Sequence, residues 1–143
     1  MRVVIDTNVL VSGMLNANGS PGRVLDAVLI GDLHAVCDDR IVGEYRDVLA
    51  RPKFNFEPAH RDRVLEFLRE TAERVVAPPL SVVLPDSDDR PFLEVPAHAE
   101  AALITGNLRH FPQDQRAGVT VLTPAQAVAA WEQALTSSPA RKE

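Results

Sequence analysis

Val3-Val4-Ile5-Asp6-Thr7-Asn8 follows directly on Met1-Arg2 at the start of the chain. Three β-branched residues in a row leave a strand no polar face. Such strands lie buried on both sides, in parallel sheets covered by helices. The run ends abruptly on Asp6. In open parallel sheets, ligands bind just beyond the carboxyl ends of the strands, so Asp6 occupies a position suited to chemistry. Asn8 is placed to cap the next helix, which leaves Asp6 without a structural duty.

Outward from this strand, β- and α-type patterns alternate. Ser20-Pro21-Gly22 opens a helix carrying Val24, Leu25, Val28 and Leu29, and Gly31 stops it. Leu33 to Cys37 reads as a second strand. Asp38 and Asp39 cap a helix whose apolar stripe is Ile41, Val42, Tyr45, Val48 and Leu49, broken by Arg51-Pro52. Pro58 opens a further helix with its stripe at Val64, Leu65, Leu68, Thr71, Ala72 and Val75, ended by Pro78-Pro79. Val82-Val83-Leu84 reads as a short strand. Asp89-Arg90-Pro91 is a capping signature for a helix reaching toward Ala99, and Leu103-Ile104-Thr105-Gly106 reads as a buried strand and turn. Val119 to Leu122 is the last strand, and Thr123-Pro124 caps a helix from Ala125 to Leu135. The alternation predicts an α/β fold, three-layered α/β/α, with right-handed crossovers and a parallel sheet of about four or five strands. The expected domain spans residues 1–136, with a polar tail at 137–143.

Composition narrows the class. Of 143 residues, 45% are apolar and 24% charged, as in ordinary globular proteins. The single cysteine, Cys37, cannot form an internal disulfide and reads as a small buried residue. The amino terminus has too short an apolar run for a signal peptide, and no stretch is long enough to cross a bilayer, so a cytoplasmic protein is expected. A formal net charge of −5 argues against a broadly basic nucleic-acid surface. Any such contact must be local.

The strand ends are acidic. Asp6 follows the first strand, Asp86, Asp88 and Asp89 cluster before the helix holding Phe92, and Asn107 follows Leu103-Ile104-Thr105. Glu44 lies at the border of its helical stripe. Three acids within four positions repel one another unless a positive charge lies between them. Caps and turns account for some of these residues, yet one carboxylate is left over. Carboxylates converging from several strand ends make a hard-oxygen site suited to Mg2+ or Mn2+ rather than zinc. His34, His60, His98 and His110 show no metal-ligand spacing and are expected at the surface or at an interface. Divalent ions in such a site activate water and clamp a phosphodiester, which is nuclease chemistry. The rival chemistry, phosphotransfer with Asp6 as nucleophile, would want a second aspartate at position 8 and a lysine beyond the late strand. The chain has neither.

These residues also fall into blocks that resemble the PIN-domain ribonucleases, in the branch described as toxin components of toxin–antitoxin pairs. The blocks are Val4 to Ser12, Glu44 to Phe54, Asp86 to Glu94, and Leu103 to Pro112. The resemblance implies that Asp6, Glu44 and Asp89 are catalytic and hold the metal, with Asp86 in reserve. It assigns Asn8, Thr105 and Asn107 to orienting ligands or substrate. Arg90, Arg109 and His110 would meet phosphates, whereas the more distant strip of Arg46, Arg51 and Lys53 is expected to pair with surface acids. Asn107 stands where many PIN domains carry an aspartate, which makes a fourth ligand neutral and raises the alternative of an RNA- or antitoxin-binding module without turnover. Pro96 is expected to kink its helix or end it early. The implied partners are an RNA substrate, an antitoxin protein and a second copy of the chain in a homodimer.

Overall fold

The computed structural model describes residues 1–137; the remainder of the expected tail lies outside the described residues. Five parallel strands, β1 (Arg2–Ile5), β2 (His34–Cys37), β3 (Glu73–Arg74), β4 (Ala102–Ile104) and β5 (Val121–Leu122), form one sheet in the order β3-β2-β1-β4-β5. Six helices flank it among the described residues: α1 (Thr7–Leu15), α2 (Ser20–Leu29), α3 (Asp39–Leu49), α4 (Pro58–Thr71), α5 (Pro91–Ala99) and α6 (Pro124–Ser137). The expected α/β/α architecture is what the chain adopts.

The β-branched run sets the centre. Val3, Val4 and Ile5 are buried, and β1 pairs with β2 on one side and β4 on the other, with Ile5 level with Ile104. Strand order reverses between β1 and β4, since successive strands step away from β1 in both directions. At such a switch point the chain leaves neighbouring strands on opposite sides and opens a crevice. Asp6 and Thr105 are the residues that follow these two strands, β1 and β4. Cys37 is buried, and burial raises its thiol pKa, which makes it an unreactive core residue.

Two expected elements differ. Val82-Val83-Leu84 is not a strand, and the edge strand is Glu73–Arg74 instead. Helix α4 therefore stops at Thr71 rather than running on to Val75, because β2 has an open edge: Val75 N–H donates to Cys37 O at 3.0 Å, and Arg74 pairs with Asp39 at 2.7 Å. Around Val83 the backbone donors are already taken by side chains. Leu80 N–H donates to Glu94 Oε2 and Val83 N–H to Gln115 Oε1, both at 2.8 Å. Pro78 and Pro79 supply no donor at all. Pro96 sits inside α5, which still reaches Ala99 before Glu100 turns left-handed. The helix is not cut short.

Helices α1 and α2 approach unusually closely. A carbon added at Gly22 would lie 2.4 Å from the Ala17 carbonyl oxygen, and one at Gly13 would lie 2.8 Å from that of Pro21. Only glycine permits this corner.

Candidate active site

Three chain segments bring carboxylates to the crevice. Asp6 leaves β1 at the N-cap position of α1 yet makes no capping bond, and its backbone N–H donates to Ile104 O at 2.9 Å. Helix α1 begins at Thr7, so Asn8 lies within its first turn and does not cap it, contrary to expectation. The Asn8 side-chain oxygen instead accepts a long bond, 3.4 Å, from Gly106 N–H across the crevice. Asp6 Oδ2 accepts from the Thr105 hydroxyl at 2.7 Å, and Thr105 Oγ1 accepts from Asn107 N–H at 3.1 Å. Thr105 is fully buried behind Asp6 and does not line the cavity.

Glu44 rises from α3. Its neighbour Tyr45 is buried and donates its hydroxyl to Ile5 O, which locks α3 against the end of β1. The Thr7 hydroxyl donates to Glu44 Oε2. Thr7 was not among the expected site residues. Its signal in the sequence is only its place beside Asp6.

Asp89 is freed by its neighbour. Asp89 does not cap α5 as expected; it ends a single turn of tight helix over Ser87–Asp89 that Asp86 opens, its Oδ1 accepting from Asp88 N–H at 2.9 Å. Arg90 then holds the N-cap position of α5 without a side-chain bond. Asp89 Oδ2 lies 3.0 Å from His110 Nδ1, which lowers an Asp89 pKa that burial and the Asp6 charge raise, and no other donor reaches this buried oxygen. His110 is thus half-buried against a carboxylate, while His34, His60 and His98 are exposed.

Asp6, Glu44, Asp89, Asn8 and His110 line one cavity of about 480 Å³, together with Thr7, Val11, Ser12, Leu15, Val48, Arg51 and Phe54. Asp86, Asn107, Arg90 and Arg109 are not in its wall. Asp86 is nonetheless close enough to raise the pKa of both Glu44 and Asp89. Arg109 is exposed, and Arg90 Nε is buried without a partner. Arg51 corrects the expectation of a distant strip: it borders the cavity, enters no ion pair among the described residues, and lowers the Glu44 pKa by its charge. A cavity of about 500 Å³ at the opposite end of the sheet includes Arg2 and Glu100, but Arg2 is already bound to Ala99 O and Glu73. It gathers no comparable set of acids.

The acids strain against their surroundings. Burial raises the pKa of Asp6 above the usual carboxylate value. Burial, with the nearby Asp6 charge adding to it, raises that of Glu44. Burial and then the Asp6 charge push Asp89 to about 6. Among the described residues no three acid, histidine or cysteine side chains are close enough to ligate one ion as they stand. Mutual repulsion explains the spacing, because each carboxylate turns to its own neighbour. The donor chemistry still fits a hard divalent cation: every carboxylate supplies oxygen, and three carboxylates in the wall face only one arginine and one histidine there, so negative charge is left over.

Outside the cavity wall, Glu94 of α5 ties that helix to α3, which bears Glu44. Glu94 is 2% exposed, accepts from Arg40 Nη1 at 2.7 Å, and Arg40 also pairs with Asp38, the cap of α3, at 2.7 Å.

Residues 2–109 match the family described as PIN domain. The chain belongs to the PIN-domain family. A relative in Methanocaldococcus jannaschii, named only as an uncharacterised protein, is 30% identical over 110 residues, which cover 75% of this chain and 71% of that one. PIN domains are generally nucleases, and the matched region carries Asp6, Glu44, Asp89 and Asn107. No helix among the described residues is long and apolar enough to cross a membrane.

Proposed function

We propose that this PIN domain is a divalent-metal-dependent endoribonuclease, acting as the toxin of a toxin–antitoxin pair. One observation carries the catalytic reading: Asp6, Glu44 and Asp89, from three separate segments, line a single cavity at the switch point of the sheet with a raised pKa at each. Acids gathered this way, with raised pKa values despite Arg51 in the same wall, are costly to the fold and typical of functional sites. Asp6, Glu44 and Asp89 would hold Mg2+ or Mn2+, with Asp86 at the margin. When bound, the ion would lower the pKa of water so that hydroxide is available to attack phosphorus, and would supply positive charge to offset the negative charge of the transition state.

The protein's own groups do the rest. Thr105 fixes the direction of Asp6, and Thr7 fixes that of Glu44. His110, beside Asp89, is placed to meet the substrate or the leaving oxygen at the cavity wall. Asn107 lies outside that wall, so its lack of charge removes no carboxylate from the set. Its backbone N–H supports Thr105 instead. The antitoxin partner and the homodimer rest on the family resemblance, as does the choice of RNA.

The test is cleavage of an unstructured RNA by purified protein with Mn2+ or Mg2+, against EDTA and against Asp6→Asn. Metal-dependent cleavage lost in the variant is the expected result. Binding without cleavage above the Asp6→Asn control would establish a binding module instead.

A further inference from the structure

The cavity that holds the acids has a second, apolar half. Val11, Leu15, Val48 and Phe54 form it, and Leu15 is 57% exposed although it borders a pocket. The volume of about 480 Å³ falls within the range of sites that accept a whole small ligand. A divalent-bound phosphate at the acidic end would leave this half empty. What fills it must be flat or apolar and attached to an anion.

Phe54 is held ready for such a group. The segment Pro52–Phe54 is a single tight turn, after which Asn55 adopts a left-handed conformation at φ 50°. Asparagine tolerates that region better than most residues. The reversal folds Phe56 back onto Phe54, with ring centroids 5.8 Å apart and planes inclined by 26°. An aromatic ring fixed in advance loses little freedom when a ligand packs on it. Two cations lie close by. Arg51 borders the cavity with no ion-pair partner among the described residues, and Lys53, outside the lining, holds its Nζ over the Phe54 ring 5.0 Å from the centroid, so it must swing off that face toward a phosphate when a base packs there. An aromatic ring flanked by cations beside an acidic, metal-suited centre matches the base, backbone and scissile phosphate of one stretch of nucleic acid.

We propose that the apolar half of the cavity is a base-binding subsite, in which an unpaired nucleobase beside the scissile phosphate packs against Phe54 while Arg51 and Lys53 take the adjoining phosphate. The subsite rests on the nuclease reading above and adds to it a residue that chooses the substrate. A base inside a duplex cannot reach Phe54, so cleavage is confined to unpaired RNA. Phe54 contributes through binding and not through the bond-breaking step.

The experiment is an anisotropy titration of a short, labelled, unstructured RNA in Ca2+, together with steady-state cleavage in Mn2+, for the wild type and for Phe54→Ala, Phe54→Leu and Phe54→Trp. Losing base–aromatic packing is expected to weaken binding by about 5- to 150-fold in Phe54→Ala. Phe54→Leu keeps the apolar volume and controls for folding, and it should lose most of the same factor, while Phe54→Trp restores it. The defect should appear in KM more than in kcat. The wild type should also discriminate against an RNA with one base removed next to the cut, and Phe54→Ala should not. Unchanged binding in Phe54→Ala and Phe54→Leu, or undiminished sensitivity to the missing base, overturns the subsite. It would leave the aromatic wall to a protein side chain. Cleavage that ignores Phe54 would sink the subsite alone, whereas base-dependent binding without cleavage in any metal would sink the nuclease reading alone.

Discussion

Thr105 Oγ1 and Asp6 Oδ2 are 2.7 Å apart and join the ends of two neighbouring parallel strands through one buried hydrogen bond. The bond favours the ionised form of an aspartate that burial otherwise disfavours. Thr105→Val keeps the shape and removes the donor. Hydrogen bonds to charged groups contribute about 1.5–3 kcal/mol, and removing a supporting partner of a metal ligand typically weakens the metal about 10–100-fold. Manganese affinity measured by calorimetry should fall by that order, and Thr105→Ser should recover it. Equal affinity in Thr105→Val would show that Asp6 needs no such support.

Removing an acid should stabilise the metal-free protein while abolishing activity. At Asp89, burial and the charges of Asp6 and Asp86 outweigh the help of His110 beside it. Asp89→Asn relieves this repulsion. A gain of about 1 kcal/mol corresponds to roughly 2–4 °C in a chain of this size. Thermal melts in EDTA should therefore show a higher Tm for Asp89→Asn than for the wild type, and manganese should raise the wild type alone. A lower Tm for the variant in EDTA would contradict the crowding of charge described above.

The same acid sets a pH dependence. The Asp89 pKa is raised from 3.8 to about 6 in the folded chain. Between those values the folded state holds a proton that the unfolded state has released, so this contribution to stability is full below about 4 and lost as the pH passes 6. Glu44 and Asp6 are shifted in the same direction. The difference in stability between wild type and Asp89→Asn in EDTA should therefore grow in favour of the variant as the pH rises from 4 to 6. Above that it should level off. Divalent ions should bind more weakly below pH 6, where protons compete for the carboxylates. A difference curve flat across this window would refute the assignment.

Glu94 offers a test of how α3, which bears Glu44, is held to α5, which follows Asp89. Glu94→Ala leaves Arg40 and the Leu80 N–H without their shared acceptor. Breaking a fully buried pair costs about 3–5 kcal/mol, and the loss here should be smaller because Arg40 is 47% exposed. Denaturant melts should place Glu94→Gln between the wild type and Glu94→Ala, since the amide oxygen can still receive Leu80 N–H. A Glu94→Ala protein as stable as the wild type would show the bridge to be incidental.

Much of this was legible in the sequence because apolar runs are local signals. Val3-Val4-Ile5 placed the central strand, and position at strand ends drew attention to Asp6, Asp89 and Asn107. The edge strand was not legible. Glu73 and Arg74 are exposed and polar, and they are paired only because β2 has a free edge, which no local pattern announces. The apolar Val82–Leu84 run misled for the opposite reason, since side chains of Glu94 and Gln115 occupy backbone donors in this region. Asp38 caps α3 as expected, but the caps read at Asn8 and Asp89 fall elsewhere, because several neighbouring residues could fill the role and only the chain path chooses among them. Thr7, Arg51 and Phe54 reach the cavity through tertiary approach, and spacing along the chain does not reveal it.

The bare corner at Gly13 and Gly22 sets a boundary for anyone reshaping this protein. Gly13 of α1 faces the Pro21 carbonyl of α2 with no room for a side chain, so a methyl group there would act as a wedge and push α1 away from α2. Thr7 stands at the head of α1, and its grip on Glu44 would slip with it. A substitution far from the acids would then misalign them, and a library built on this scaffold should hold both glycines constant.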